Sequence, residues 1–168
     1  EAVRDGRVAH WNDLVFGGVN HIGNPQTSAM YPLLWVMAWF DVHRAMMLTT
    51  AMHLAVIASG TWVLVRRFPA SRAAASVAAI TLLGSGLVMA RTIQFEQISV
   101  IAWIPWVLAG VDAVITSPRP WRAVALAAVA GALMATAGHP QQTYLAVPVV
   151  EAWAVGRMVD LGAHRRAG

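Results

Sequence analysis

The sequence predicts an all-α membrane protein, a polytopic transmembrane helix bundle of four or five spans behind an N-terminal extracytoplasmic loop with short interfacial helices. Composition is the first observation, because the chain is 58% hydrophobic and only 12% charged, whereas a soluble domain carries about 25% charged residues. Its mean hydropathy is +0.56. Secondly, long apolar stretches alternate with short loops. Thirdly, every second loop is rich in arginine, and the others carry mostly uncharged polar groups.

The first 44 residues form the predicted extracytoplasmic loop, and residues 45–168 form the predicted transmembrane region. Gly17-Gly18 and Asn24-Pro25 are strong helix breakers within the loop. The apolar run 33–40 is rich in Trp but too short to cross a bilayer. It is typical of a helix that lies at the membrane interface.

The predicted spans cover residues 45–65, 73–90, 98–115, 123–138 and 143–161. The first has close to the roughly 20 residues that cross a bilayer, and the second is rich in small residues that allow close helix packing. The fifth is the weakest, because Pro148, Glu151 and Arg157 interrupt it. The chain begins at Glu1 rather than Met, so we expect an internal piece of a longer protein, whose remaining helices would be partners.

All twelve basic residues are arginine, and their positions orient the spans. If the spans alternate, one side carries Arg66, Arg67, Arg72, Arg119, Arg122, Arg157, Arg165 and Arg166, and the other carries Arg4, Arg7, Arg44 and Arg91. The positive-inside rule places the larger set in the cytoplasm, so the loops near 91–97 and 138–142 face outward. Because these arginines cluster at the ends of apolar segments, we expect no nucleic-acid partner.

Three polar segments are predicted to meet on the outer face. They are Asn24-Pro25-Gln26, Gln94-Phe95-Glu96-Gln97 with the preceding Arg91, and Gly138-His139-Pro140-Gln141. Because antiparallel helices bring neighbouring loops together, we expect Glu96 and His139 to share a site with the amide side chains. Amides and carboxylates suit the hydroxyls of a sugar, whereas Arg91 or His139 can meet a phosphate.

Simpler interpretations remain open for each segment. Gln94 and Glu96 can belong to a solvated turn, and Gly138-His139-Pro140 can be a helix stop. His53, inside the first span, is interpreted as a packing residue bonded to a neighbouring helix. Glu151 can pair with a helix outside this sequence or lie at the interface, although carboxylates inside a bilayer are often functional.

Several mechanisms find no support in the sequence. It contains no Gly-rich phosphate loop, no nucleophile elbow and no His-x-x-x-His pair. It also contains no Cys, which excludes disulfides and thiolate metal sites. The dispersed histidines His10, His21, His43 and His139 do not predict a zinc site. No cofactor is assigned, and a divalent metal held by Asp or Glu stays possible.

Several short motifs resemble a known family. One set of motifs in this chain looks like the first outer loop of that family: Gly6-Arg7, His10-Trp11-Asn12, Phe16-Gly17-Gly18, Asn24-Pro25-Gln26 and Tyr31-Pro32. Gly138-His139-Pro140-Gln141 with Thr143-Tyr144 is similar to a second hallmark, and Trp103-Ile104-Pro105 to a third. The family is the YfhO-like bacterial membrane proteins, and the motifs follow its order across nearly the whole chain.

The resemblance implies a multispanning glycosyltransferase of the GT-C type in the bacterial cytoplasmic (inner) membrane. Such enzymes transfer a sugar from a polyprenyl-phosphate carrier to a cell-envelope glycan or lipid on the outer face. An acidic residue in the first outer loop commonly acts as the base or positions the acceptor. We expect that residue upstream of Glu1, and the loop itself offers Asp5 and Asp13.

The candidate catalytic residues are therefore Glu96, Asp13 and His139. Either carboxylate would take the acceptor proton, and His139 or Arg91 would stabilise the leaving phosphate. The candidate substrate-binding residues are Asn12, Asn24, Gln26, Arg91, Gln94 and Gln141.

Two other functions remain open. One is a transporter or flippase of a lipid-linked or small solute, for which Glu151 and His53 would be the telling residues. The other is a non-catalytic scaffold subunit of the membrane. Because the polar residues concentrate at one face, the sequence favours surface chemistry over transport.

Overall fold

The chain is mostly helical in a computed structural model that describes residues 6, 10–13 and 15–167, with side chains as far as residue 162. A hairpin of β1 (Trp11–Asn12) and β2 (Val19–Asn20) precedes one turn of 3-10 helix at Pro25–Thr27. The helices are α1 (Pro32–Met37), α2 (Val42–Val65), α3 (Arg72–Leu83), α4 (Gly86–Arg91), α5 (Phe95–Thr116), α6 (Trp121–Thr136) and α7 (Pro140–Ala167). Arg4, Asp5 and Arg7 lie outside the described residues, as do the side chains of Arg165 and Arg166.

The hairpin forms the turn that the glycines predict. Trp11 pairs with Asn20 across two antiparallel strands. Gly17 and Gly18 close the turn with φ angles of +76° and +119°, a region in which glycine is not strained. A side chain on Gly18 would also overlap the Trp11 indole, so this turn requires glycine.

Side-chain caps fix where several helices begin. Asp41 accepts a hydrogen bond from the Arg44 backbone N–H at 3.0 Å and so starts α2. Ser71 caps α3 in the same way, and Ser85 caps α4 through the Val88 N–H at 3.3 Å. The Ser85 cap, with Gly84 before it, divides the second predicted span into two helices. The segment 73–90, predicted as one span, thus contains two helices instead of one.

Two helices are long and apolar enough to cross a membrane. They are α2, with 24 residues, and α5, with 22 residues. α3 and α6 are apolar but shorter. α7 has 28 residues and continues through Pro148. Helix thus occupies all five segments predicted as spans, and two helices have the length and hydropathy of a membrane span.

α5 is the central helix of the bundle and contacts α2, α6 and α7. Gly60 of α2 faces Trp106, and a side chain there would overlap the indole. Trp106 also donates its indole N–H to the Val56 carbonyl oxygen at 3.0 Å. On its other side, Gly110 of α5 packs directly on Ala127 of α6. Small residues thus let the neighbouring helices approach closely.

The bundle has two chemically different ends. A helix of 22 residues is about 33 Å long, so the two ends of α5 are far apart. We name the motif end for residues 24–31, 91–97 and 137–142, and the arginine end for residues 66–72, 112–122 and 157. At the arginine end, Arg67 contacts Asp112 and Thr116 near the last turn of α5.

Candidate functional site

The N-terminal loop is attached to the helix bundle at the motif end. The Ser28 hydroxyl donates a hydrogen bond to the Ala137 carbonyl oxygen at 2.8 Å, and the contact is buried. Ala137 is the C-cap residue that follows α6, at the position where a helix leaves carbonyl groups without a helical partner. One loop serine therefore satisfies the end of a helix more than 100 residues later in the chain.

Gly138 makes that attachment possible. Its φ angle is +103°, and a side chain there would overlap the Ser28 Oγ atom and crowd the Pro25 carbonyl oxygen. Both the backbone conformation and the space therefore require glycine. Gly138 also follows Ala137, the C-cap residue of α6, so the interpretation of this motif as a helix stop is confirmed.

His139 begins the next helix. Its Nδ1 atom accepts a hydrogen bond from the Gln142 backbone N–H at 3.2 Å, three residues later, in the position of an N-cap. An accepting Nδ1 in a neutral imidazole leaves the proton on Nε2. His139 is only 9% exposed. The His139 Nδ1 atom therefore caps α7, and the Nε2–H can still donate a hydrogen bond.

The starts of α5 and α7 lie side by side, as the sequence predicts. The Gln142 side-chain amide nitrogen donates to the Gln97 side-chain oxygen Oε1 over 3.4 Å, a long hydrogen bond. Each of these residues follows a predicted site residue, Gln141 and Glu96 respectively. Glu96 is half-buried in the first turn of α5, where a helix dipole favours a carboxylate, and Gln141 is exposed.

Arg91 and Gln94 interact with each other. The Arg91 Nη1 atom donates to the Gln94 side-chain oxygen at 2.6 Å, and both side chains are half-buried. The pair spans the short connection between α4 and α5. A guanidinium has five N–H donors, so Arg91 retains donors beyond this bond.

The predicted binding residues of the N-terminal loop differ in their surroundings. The Asn24 side-chain oxygen accepts from the Gln26 backbone N–H at 3.0 Å and caps the 3-10 turn. Asn24 therefore has a local structural role. Gln26 and Asp13 are exposed, and Asn12 lies half-buried in β1. The loop that carries these residues reaches the bundle through Ser28.

A buried hydrogen-bond chain holds the same loop a second time, and sequence analysis did not predict it. The Trp103 indole N–H donates to the Tyr31 hydroxyl at 2.8 Å. The hydroxyl lies 2.7 Å from His53 Nε2, and His53 Nδ1 lies 2.7 Å from the Thr49 carbonyl oxygen. Tyr31 and His53 are fully buried, and Phe95 packs edge-on against the imidazole.

The donors and acceptors of this chain fix its proton positions. An indole nitrogen only donates and a carbonyl oxygen only accepts. The Tyr31 hydroxyl therefore accepts from Trp103 and donates to His53 Nε2, and His53 Nδ1 carries the ring proton. Burial raises the pKa of the Tyr31 hydroxyl to about 12, and the bond from Trp103 opposes this only in part. His53 is hydrogen-bonded, as predicted, but its side-chain partner lies just before α1 instead of on a neighbouring spanning helix.

A buried ion pair organises the arginine end, and it too was missed. The Asp112 carboxylate is almost fully buried and contacts Arg67 through one oxygen. Its other oxygen lies 2.7 Å from Arg157 Nε, and Arg157 also pairs with Asp160 at 2.7 Å. Asp112 thus joins the loop after α2 to α5 and α7. The sequence did contain a signal for this ion pair, because Asp112 is an acidic residue within a predicted span.

Two further expectations concern transport and metals. Glu151, which a transport function would use, is exposed on the surface of α7. Among the residues that the structure describes, no group of three or more His, Asp or Glu side chains is placed to hold a metal ion. No family model matches the chain, and neither a curated protein nor a solved structure matches it.

The motif end thus joins carboxylate, imidazole, guanidinium and amide groups within segments that contact one another. Glu96 can accept a proton, His139 Nε2–H and Arg91 can donate to an anion, and Gln26 and Gln141 can bond hydroxyl groups. These are the groups that a polar substrate with a phosphate would require.

Proposed function

We propose that the chain is part of a YfhO-like glycosyltransferase of the GT-C type in the bacterial cytoplasmic membrane. In this proposal the chain crosses the membrane four or five times, through α2, the α3–α4 pair, α5, α6 and α7. The motif end faces outward. The enzyme transfers a sugar from a polyprenyl-phosphate donor to a glycan or lipid of the cell envelope.

One observation carries the proposal: three polar segments far apart in sequence contact one another at a single end of the bundle. Ser28 bonds the end of α6, and Gln97 of α5 bonds Gln142 of α7. The other end carries six of the eight arginines whose side chains the structure describes. Such an arrangement suits a site at the outer membrane surface, because the polyprenyl tail can stay in lipid while its sugar phosphate meets polar groups.

The proposed reaction is a displacement at the anomeric carbon of the donor. The acceptor hydroxyl oxygen forms a bond to that carbon while the bond to the phosphate oxygen breaks. The polyprenyl phosphate leaves with the electron pair. Glu96 takes the acceptor proton, with Asp13 as the alternative base, and His139 Nε2–H or Arg91 donates to the leaving phosphate.

The test uses membranes that contain the natural protein in which this chain occurs. Polyprenyl-phosphate-linked [14C]hexoses are supplied one at a time, with and without EDTA, and label is followed from the lipid to an envelope acceptor. EDTA is included because Glu96 and Asp13 are side chains that Mg²⁺ accepts as ligands. We expect Glu96→Gln to slow transfer about 100-fold, as for loss of a general base.

Glu151→Gln is the matched control, because it removes the same charge from an exposed position eleven residues beyond the start of α7. It should leave transfer unchanged. Equal rates in the two variants would remove Glu96 from the mechanism. Absence of transfer from every donor to any acceptor would overturn the proposed activity.

One observation favours the scaffold as the second candidate. Asn24, Arg91 and His139 each make a local contact that stabilises the fold, which a non-catalytic subunit would need equally. The scaffold predicts no transfer by the natural protein and no effect of Glu96→Gln. The same assay therefore distinguishes the two candidates.

A further inference from the structure

The arginines of the arginine end divide into two groups with different partners. Arg67 and Arg157 point inward and pair with the buried Asp112 carboxylate. Four others are exposed, and none of them forms an ion pair with a residue that the structure describes. We name these four the arginine rim: Arg66, Arg72, Arg119 and Arg122.

The fold brings the rim residues to one end. Arg66 and Arg72 flank the loop between α2 and α3, and Arg119 and Arg122 lie in or beside the loop between α5 and α6. Arg67, in the first loop, contacts Asp112 and Thr116 in the last part of α5, just before the second loop. The rim therefore presents four positive charges without described acidic partners across two adjoining loops.

Exposed tryptophans accompany the rim. The Arg122 guanidinium lies 4.9 Å from the centre of the Trp121 ring, and Arg66 lies 5.9 Å from that of Trp62. Trp121 is 65% exposed. An exposed indole next to a cation is typical of the boundary between lipid and water, where the ring meets acyl chains and the charge meets headgroups.

We infer that the arginine rim binds the phosphate headgroups of anionic phospholipids and selects them over neutral ones. Phosphate oxygens accept charge-assisted hydrogen bonds from a guanidinium that forms no ion pair with a carboxylate. The paired tryptophans favour a lipid surface over a nucleic acid. This inference rests on the proposed membrane location and is independent of glycosyl transfer.

The experiment reconstitutes the protein into nanodiscs of phosphatidylcholine and phosphatidylglycerol and measures retained lipid by native mass spectrometry. The unsubstituted protein should retain phosphatidylglycerol preferentially. The double variant Arg119→Gln/Arg122→Gln should lower that preference about fivefold per arginine at low salt.

Arg44→Gln is the control and is compared with Arg122→Gln alone, because each removes one positive charge, and the two residues lie at opposite ends of the bundle. Arg44→Gln should keep the preference. Equal retention of both lipids by the unsubstituted protein, or equal losses in Arg44→Gln and Arg122→Gln, would overturn the inference. So would binding of a DNA duplex that phosphatidylglycerol vesicles do not displace. Lipid retention is measured without any sugar donor, so its failure is separate from failure of the proposed reaction.

Discussion

The Trp103 indole N–H donates to the Tyr31 hydroxyl at 2.8 Å, across 72 residues of sequence. Tyr31 belongs to the loop before α1, and Trp103 belongs to the central helix α5. The bond therefore fixes the loop against the bundle from within, while Ser28 fixes it at the end of α6. These two contacts hold the segment that carries Asn24 and Gln26 at the motif end.

Replacing Tyr31 with Phe should loosen this attachment. The change removes the hydroxyl and leaves the Trp103 indole N–H and His53 Nε2 without their partner in a buried setting. We expect the free energy of unfolding of the purified protein to fall by about 2 kcal/mol. Tyr144→Phe is the matched control, because Tyr144 is 79% exposed, and it should change little. An equal effect of both substitutions would contradict the role of Tyr31.

Replacing Gly138 with Ala should separate the loop from α6. The new side chain would overlap Ser28 Oγ, and alanine rarely adopts the backbone conformation of this position. We expect these two effects together to lower the free energy of unfolding by about 2 kcal/mol. Gly156→Ala, in open space within α7, should be neutral or stabilising. Thermal unfolding of the two variants provides the comparison. Adding Ser28→Ala should recover part of the Gly138→Ala loss, and no recovery would argue against the predicted overlap.

The Tyr31 hydroxyl should titrate late in alkali. The chain has two tyrosines, so the Tyr144→Phe variant leaves Tyr31 as the sole phenol. Its pKa is raised from 10.0 to about 12, so phenolate absorbance should appear near pH 12 in the folded protein and near pH 10 after unfolding.

The same shift predicts how stability depends on pH. The folded state keeps the Tyr31 proton where the unfolded state releases it. The contribution of the Tyr31 proton to the free energy of unfolding is therefore complete below pH 10 and is lost as pH rises toward about 12. A folded-state midpoint near pH 10 would show that the hydroxyl is not held in a buried chain.

Replacing Asp112 with Asn should weaken the arginine end. The carboxylate is almost fully buried, and its loss would remove the carboxylate partner of Arg67, whereas Arg157 would keep Asp160. We expect a larger fall in the unfolding midpoint than for Asp160→Asn, because the Asp160 side chain is 51% exposed. If the two variants unfold at the same temperature, Asp112 does not organise this end.

The sequence predicted the helical segments well, because apolar stretches and the polar loops between them can be identified from consecutive residues. The break at Gly84-Ser85 was missed, since small residues there also suit continuous close packing and the Ser85 cap depends on local geometry. At the motif end, the contact between the starts of α5 and α7 followed from antiparallel topology.

Other contacts could not be predicted from the sequence alone. The bond between Tyr31 and Trp103 joins residues far apart in the chain and depends on how the loop folds back. Asp112 carried a usable signal, because an acid inside an apolar segment needs a partner. The choice of Arg67 and Arg157 as its partners depends on helix packing.

The most direct test of the account is which side of the membrane each end of the bundle faces. The chain has no Cys, so single substitutions Gln26→Cys, Gln141→Cys and Arg119→Cys give one reactive thiol each. Intact spheroplasts are treated with a membrane-impermeant maleimide before and after permeabilisation. We predict labelling of the Gln26 and Gln141 positions in intact cells and of the Arg119 position only after permeabilisation. Labelling of Gln26 and Gln141 from opposite sides, or of Arg119 together with them, would contradict it.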